Sequence, residues 1–186
     1  MTADPSAIDQ VIAARRTSLL VDADRPVADH LIDEVIEAAT WAPNHKRTWP
    51  WRFTVISGDA RSRFGETLAA AGGALGLKAA KVEKMRTKYL RSPVLVVVWV
   101  AVDTDEVRAR EDRDATAAAV QNLLLAATAR GLASYWGTLS DALFPGARAA
   151  CVVGDDHNLV ALVYLGWPTG EVAVPERPAP DVTRLA

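Results

Sequence analysis

The sequence predicts an α+β fold in which helices outnumber strands. Apolar residues recur at helical spacing in several segments, whereas only a few short runs have the composition of strands. Helices and strands do not alternate one for one along the chain, which favours α+β over a doubly wound sheet. The run 94–102 is apolar throughout and rich in β-branched residues, which is typical of a strand covered on both faces.

The elements of the first half follow from apolar spacing and from residues that begin or end helices. Asp29 is placed to cap a helix over 30–41, and Pro43 ends that helix because proline disfavours helical geometry in the residue before it. The loop 44–50 is polar and aromatic. The remaining predictions are helices over 8–14, 60–71 and 77–90 and a strand over 53–56.

The second half begins with the strand over 94–102. The segment 103–113 is charged and is predicted as helix or loop, and Gly131 stands where a C-terminal cap would close a helix over 115–130. The remaining predictions are a strand over 133–136, a helix that ends at Cys151, a strand over 159–166 and an extended, proline-rich tail over 167–186.

The helix over 115–130 has almost no polar side. Its polar interruptions are Gln121, Asn122 and Thr128. A helix that is apolar all round is buried, either in the core of one chain or against another subunit. Its many alanines allow close helix packing in both situations, so both remain open.

Size and composition exclude several classes of protein. The chain has 186 residues, which suits one domain over 1–186, and 50% of them are hydrophobic. A formal net charge of -2 gives no electrostatic footprint for nucleic acid and no basic membrane patch. No apolar run approaches the roughly 20 residues of a transmembrane helix, and residues 1–10 lack a signal-peptide core. We therefore expect a cytoplasmic protein.

Cysteine and histidine indicate a reducing environment and no metal site. Cys151 is the single cysteine, and it is expected to be buried and inert. The histidines His30, His45 and His157 are far apart in sequence and share no metal-ligand spacing. His30 and His157 are interpreted as solvated surface residues.

Arg15, Arg16 and Thr17 are the first candidates for ligand binding. Two guanidinium groups and a hydroxyl suit a phosphate, because arginine binds phosphate through charge-assisted hydrogen bonds. Adjacent arginines are also common at solvated helix ends, so the pair alone does not identify a site. The lysine-rich stretch 78–88 is interpreted as a solvated helix face.

The segment 41–53 has an unusual composition. It holds three tryptophans, a histidine and three cations ahead of a predicted strand. Aromatic rings and hydrogen-bond donors together suit a planar cofactor, although Trp51 and Phe53 are expected to pack on the core.

In their order along the chain, these segments resemble the nitroreductase family of FMN-dependent oxidoreductases, and above all its compact subgroup with an Ala-Pro-Asp-His-Lys type of loop. The resemblance spans nearly the whole chain. The motifs that carry it are Arg15-Arg16-Thr17, Ala42-Pro43-Asn44-His45-Lys46, Pro50-Trp51-Arg52-Phe53, Ser92-Pro93, the stretch 119–127, Gly131-Leu132 followed by Trp136, and the stretch 163–168.

This resemblance implies a central, mostly antiparallel sheet surrounded by helices, in an intertwined homodimer with FMN at the subunit interface. The cofactor-binding residues that it implies are Arg15, Arg16, Thr17, Trp41, His45, Trp136, Gly137 and Thr138. The first three would hold phosphate and ribityl oxygens, and the last three would line the flavin, partly through backbone groups. His45, with Trp41 nearby, would approach it from the partner subunit. The stretch 120–125 would border the nicotinamide site, and the tail would wrap the other subunit.

Several positions depart from the family's pattern. Leu19 and Leu20 stand where a further arginine often follows the arginine pair, and Trp49 replaces a glutamine. Trp41 and Gly137 stand where arginine is common. Fewer cations and more tryptophan predict a bulkier and drier pocket.

The function that the resemblance implies is an enzyme in which FMN passes hydride from NAD(P)H to a small acceptor such as a nitroaromatic or a quinone. The flavin carries the redox chemistry, so no side chain is assigned as a catalytic acid or nucleophile. Two alternatives stay open: a family member with other flavin chemistry, and a non-catalytic flavin-binding or storage protein.

Overall fold

Four antiparallel strands form one sheet in the computed structural model, which describes residues 5–185. The strands are β1 (Trp51–Ser57), β2 (Val94–Ala101), β3 (Ala133–Gly137) and β4 (His157–Gly166). Their order in the sheet is β1-β2-β4-β3, and each neighbouring pair is antiparallel. The α+β prediction is confirmed. Residues 1–4, which belong to the segment expected to lack a signal peptide, and residue 186 lie outside the described part of the chain.

Six helices surround this sheet within residues 5–185. They are α1 (Pro5–Ala14), α2 (Asp29–Thr40), α3 (Ala60–Ala74), α4 (Ala79–Thr87), α5 (Glu106–Ala129) and α6 (Phe144–Cys151). Short 3-10 turns occur at His45–Arg47, Lys88–Arg91 and Asp141–Leu143. The segment 103–113, predicted as helix or loop, is mostly the first part of α5. No helix among the described residues is long and apolar enough to span a membrane.

The ends of the long helix α5 are capped as its sequence favours. The Asp105 side chain accepts hydrogen bonds from the backbone N–H groups of Val107 and Arg108, and these bonds hold the pKa of Asp105 below its usual range. At the other end Gly131 has φ +73°, as its predicted capping role requires. The cap predicted at Asp29 is wrong: Ala28 precedes α2, and Asp29 lies in the first turn, where its charge favours the helix N-terminus.

The strand β2 is buried on both faces, as predicted. Side chains at even positions, such as Val96 and Val98, pack in a core layer with α2 and α5. Side chains at odd positions, such as Val97 and Trp99, pack in a second layer with α3 and α6. The sheet therefore separates two hydrophobic layers, and both faces of its central strand β2 are closed to ligands.

One face of α5 is not covered by this chain. Leu123 is fully buried in the core, whereas Leu125 is only half-buried. Leu125 lines an apolar groove together with Ile8 and Ile12 of α1, each of which is 51% exposed. Of the two alternatives for this helix, burial within one chain does not account for all of its apolar surface, because the groove beside Leu125 is open.

The segment after β4 is held at its start. Val21 forms a β-bridge with Pro168, and the Thr169 N–H donates to the Leu20 carbonyl at 2.9 Å. Residues 171–185 contain no helix or strand, which agrees with an extended tail. The one-domain organisation over 1–186 stays a prediction.

The reactivity of the Cys151 thiol tests whether this residue is buried in the native protein. It is buried at the end of α6, and burial raises the pKa of its thiol to about 12. Because the thiolate is the reactive form, we expect the native protein at pH 8 to react with a disulfide reagent at least about 100-fold more slowly than the unfolded chain. Stopped-flow absorbance with Ellman's reagent, with and without guanidinium, measures both rates. Equal rates would show that the thiol is accessible.

Candidate functional site

The chain segment after α1 lies along the edge strand β3. Thr17 forms a parallel bridge with Ser134 of β3. Arg16 and Ser18 line one cavity beside this edge of the sheet, whereas Leu19 lines another. The structure therefore brings the predicted phosphate-binding residues to the same strand as the predicted flavin-lining residues, but it does not gather them in one cluster.

Arg16 points into a cavity of about 380 Å³ between the segment after α1, the end of α5 and the tail, which includes Val172. Its Nη1 donates to the carbonyls of Ala13 and Arg15, at 2.5 and 2.8 Å. Its Nε is buried and has no hydrogen-bond partner. A buried unpaired donor is costly, so a ligand that accepts a hydrogen bond from Arg16 would stabilise this arrangement.

A second cavity, here called the basic cavity, lies where α4 faces the ends of β3 and β4. It has a volume of about 380 Å³, and the predicted residues Gly137 and Thr138 line it. The other residues that line it are Leu19, Lys81, Lys84, Met85, Lys88, Tyr89, Arg91, Tyr135, Leu162 and Tyr164.

The lysines of α4 are therefore not simply a solvated helix face. Lys81, Lys84 and Lys88 are spaced by three and then four residues, and all three line the basic cavity. This spacing is visible in the sequence and could have identified them as one surface. α4 and Arg91 supply positive charge to the basic cavity. The bulkier, drier flavin pocket inferred from the departures from the family's pattern stays a prediction.

The inner wall of the basic cavity combines a half-buried amine with buried phenols. Burial lowers the pKa of Lys88, and the nearby charges of Lys81, Lys84 and Arg91 lower it further. Its Nζ lies 4.7 Å from the ring centroid of Tyr89. Tyr89 is fully buried and its hydroxyl has no hydrogen-bond partner.

Both buried phenols of this wall remain protonated at neutral pH. Burial raises the pKa of Tyr89, and it raises the pKa of Tyr164 to about 12. The two rings stack with centroids 6.5 Å apart. Each hydroxyl is therefore a potential hydrogen-bond donor to a ligand.

Trp136 and Gly137, the two residues of β3 predicted to line the flavin, offer different groups to a ligand. The side chain of Trp136 is half-buried and packs against the core layer that holds α5, which limits the ring surface that it offers to a ligand. Gly137 lies against two rings: a Cβ there would be 3.1 Å from Tyr135 Cε1 and 3.3 Å from Tyr164 Cε2. This crowding explains why a long side chain is absent at a position where the family commonly has arginine.

Trp41 and His45 lie far from the basic cavity within one chain. Both are exposed, and 81% of the Trp41 surface is accessible. Their loop leads into β1, which is at the opposite edge of the sheet from β3. Three strand spacings separate these edges, or about 14 Å. One copy of the chain therefore does not bring all predicted cofactor-binding residues together.

The loop that carries His45 is strained. Lys46, Arg47 and Trp49 have φ of 55°, 54° and 48°, a region that non-glycine residues rarely occupy. Each such residue costs on the order of 1–3 kcal/mol, and residues of this kind cluster at functional sites. The Thr48 hydroxyl donates to the buried carboxylate of Asp112 on α5 at 2.5 Å, which holds the loop against the helix.

The hydrogen bond between Thr48 and Asp112 should contribute to stability. We expect Thr48→Val to lower the free energy of unfolding by about 1–3 kcal/mol, because the buried Asp112 carboxylate loses this donor. Urea unfolding followed by circular dichroism measures the change. Thr104→Val removes a hydroxyl from an exposed position and serves as the control. Equal stability of the two variants would contradict the anchoring role.

The stretch 120–125 is only partly available to a ligand. Val120, Leu123 and Leu124 are buried in the core layer beside the sheet. Gln121 is exposed, and Asn122 lines the apolar groove with Leu125. Contact with a nicotinamide is thus restricted to the outward residues.

The chain is similar in sequence to a known protein family. The model of the Nitroreductase family matches residues 12–167. YdjA of Escherichia coli K12, provisionally named an NAD(P)H nitroreductase, is 29% identical over 184 residues, which cover 95% of this chain and 98% of YdjA.

Two solved structures are similar over almost their whole length. A nitroreductase-like protein from Bacillus cereus has a TM-score of 0.79 and 26% identity, with 98% of this chain and 94% of that chain covered. A provisional nitroreductase from Desulfovibrio desulfuricans, solved in complex with FMN, has a TM-score of 0.73 and 26% identity, with 95% and 94% covered. This chain is therefore a member of the nitroreductase family.

Proposed function

We propose that this protein is a homodimeric oxidoreductase that uses FMN to pass hydride from NAD(P)H to a small acceptor such as a nitroaromatic or a quinone. The observation that carries the proposal is the buried Nε of Arg16, which has no hydrogen-bond partner and belongs to a side chain lining a cavity beside β3. The proposal also places the protein in the cytoplasm, where NAD(P)H is available.

The residues along β3 fit FMN. The ligand offers a phosphate and a flavin ring with polar and apolar edges, and the buried donor Arg16 Nε lacks an acceptor. Arg15, Arg16 and Thr17 would hold phosphate and ribityl oxygens. When bound, FMN supplies the two-electron redox chemistry of the reaction.

The chain's own groups position and enclose the cofactor. Gly137 and Thr138, together with the backbone of Trp136, would line the flavin on one side. Cations at the rim of the basic cavity would attract anionic parts of the ligands. None of these groups needs to transfer a proton for the hydride step, so positioning and exclusion of water are the protein's contribution.

A second copy of the chain would complete the site. The apolar groove of Ile8, Ile12 and Leu125 is open in one copy, and its burial would favour association. In a two-fold dimer, the exposed Trp41 and His45 of one subunit would reach the flavin of the other. His45 could then donate a hydrogen bond to the ring, and the tail would wrap the partner.

An acceptor screen tests the proposed reaction. NAD(P)H oxidation by the FMN-loaded protein is followed with p-nitrobenzoate, a naphthoquinone and oxygen alone as acceptors. Turnover that rises at least about tenfold with a nitroaromatic or a quinone is the expected result. Flavin reduction without faster turnover by either would favour other flavin chemistry, and bound flavin that neither NADH nor NADPH reduces would favour a storage protein.

A further inference from the structure

The basic cavity holds positive charge that no acidic residue balances. Its lining contains Lys81, Lys84, Lys88 and Arg91 but neither Asp nor Glu. None of these four cations forms an ion pair within residues 5–185. By contrast, Arg86, on the same helix α4, pairs with both Glu66 and Glu83 outside the cavity.

This imbalance points to an anionic ligand. Like charges gathered around a concave surface repel one another, and the lowered pKa of Lys88 reflects that repulsion as well as burial. A second observation is independent of charge: the Tyr89 hydroxyl is fully buried, lines the same cavity and lacks a hydrogen-bond partner. The cavity is thus equipped to meet a ligand that is both anionic and able to accept hydrogen bonds.

The cations of the basic cavity lie apart from the arginines that are proposed to hold the FMN phosphate, so they would bind a different anionic group. Arg15 and Arg16 lie in the segment after α1, and Arg16 faces a different cavity. Lys81 and Lys84 are exposed and one turn apart on α4, so both ammonium groups can contact a single group that arrives from solvent. A volume of about 380 Å³ suits part of a small molecule, and a net charge of -2 does not favour nucleic acid.

We propose that Lys81 and Lys84 bind the 2′-phosphate of NADPH and make NADPH the preferred electron donor. This inference rests on the proposed function. The 2′-phosphate carries close to two negative charges at neutral pH, whereas NADH has a hydroxyl at that position. In Rossmann folds, a carboxylate commonly binds the ribose hydroxyl of NADH, and a cation accommodates the 2′-phosphate of NADPH. By the same chemistry, the charged residues that line the basic cavity, all of them cations, suit the 2′-phosphate.

The test compares two double variants that remove the same charge. Lys81→Gln/Lys84→Gln changes the cavity, and Lys78→Gln/Arg63→Gln changes two exposed cations that do not line it. Calorimetry on the FMN-loaded protein measures the Kd of 2′,5′-ADP, which carries the 2′-phosphate, and of 5′-AMP, which lacks it. The ratio of kcat/KM for NADPH to that for NADH is measured in parallel.

Wild-type protein should bind 2′,5′-ADP at least about tenfold more tightly than 5′-AMP. The cavity variant should lose this difference and lower the kcat/KM ratio about 10- to 100-fold, whereas the control variant should keep both. If the cavity variant does not fold, the single changes Lys81→Gln and Lys84→Gln should each give a smaller loss.

Two results would overturn the inference. The first is equal affinity of the wild-type protein for 2′,5′-ADP and 5′-AMP. The second is a ratio of kcat/KM for NADPH to that for NADH that is the same in the cavity variant and in the control variant. In either case, reduction of the bound flavin by NADH would leave the proposed function intact. If neither NADH nor NADPH reduces the flavin of the wild-type protein, both proposals fail.

Discussion

Replacing both Arg15 and Arg16 by alanine is expected to weaken FMN binding about 100-fold or more without loss of helix content. Hydrogen bonds to charged groups contribute roughly 1.5–3 kcal/mol each, and every 1.4 kcal/mol is a factor of ten in Kd. Both side chains lie in the segment beside β3 and are only half-buried, so the core should fold without them. Fluorescence titration of the apoprotein with FMN, together with far-ultraviolet circular dichroism, measures the two quantities.

Variants of the single arginines separate the contributions of the two side chains to FMN binding. Arg15→Ala removes one charge, and Arg16→Ala removes the group with the unpaired buried Nε. Arg63→Ala, at an exposed position on α3, is the matched control for lost charge. An unchanged Kd for FMN in the double variant would show that the phosphate is held elsewhere.

A carboxylate in the apolar groove should dissociate the dimer. Leu125→Glu places a charge between Ile8 and Ile12, and an unpaired charge buried in an apolar contact costs several kcal/mol. The wild-type protein is expected to remain dimeric at nanomolar chain concentration, and the variant should sediment as a monomer at micromolar concentration. The variant should also lose FMN affinity, because Trp41 and His45 would no longer reach the site of a partner.

Ala70→Glu is the control for this experiment. It adds the same charge at an exposed position on α3, which packs on the other face of the sheet. We expect this variant to remain a dimer that binds FMN. A wild-type monomer that carries FMN in sedimentation velocity would contradict the shared site.

Much of the fold could be predicted because its signals are local. The apolar run at β2 indicated a strand covered on both faces, and the structure has a core layer on each side of it. Gly131 indicated the end of α5 because a left-handed residue is needed there. The N-cap of α2 could not be predicted, because an acidic residue such as Asp29 is favourable both at the N-cap and in the first turn of a helix. Sequence alone does not distinguish these two positions.

The basic cavity could not be predicted for a physical reason. The spacing of Lys81, Lys84 and Lys88 places them on one face of a helix, but only tertiary packing decides whether that face meets water or a cavity wall. Arg15 and Arg16 are adjacent in sequence, and the sequence does not show that their surroundings differ. In the structure the Arg15 N–H still donates to Val11 of α1, whereas Arg16 lines a cavity beside the tail.

The aromatic loop over 41–53 is a predicted part of the cofactor site that one copy of the chain does not bring to the other predicted residues. The composition of the segment 41–53 indicated a cofactor site, and the positive φ angles of Lys46, Arg47 and Trp49 support a functional role. Yet this loop and the end of β3 lie at opposite edges of the sheet. In the proposed dimer, a second subunit would bring them together, and no pattern within one chain predicts that contact.

An anaerobic reduction of the FMN-loaded protein tests the central claim most directly. The purified protein is saturated with FMN, freed of unbound flavin, and mixed with NADPH or NADH while the visible spectrum is recorded. We predict that the yellow absorption of stoichiometric bound FMN bleaches on addition of the nucleotide. Failure to retain FMN, or retained FMN that stays oxidised with both nucleotides, would contradict the account.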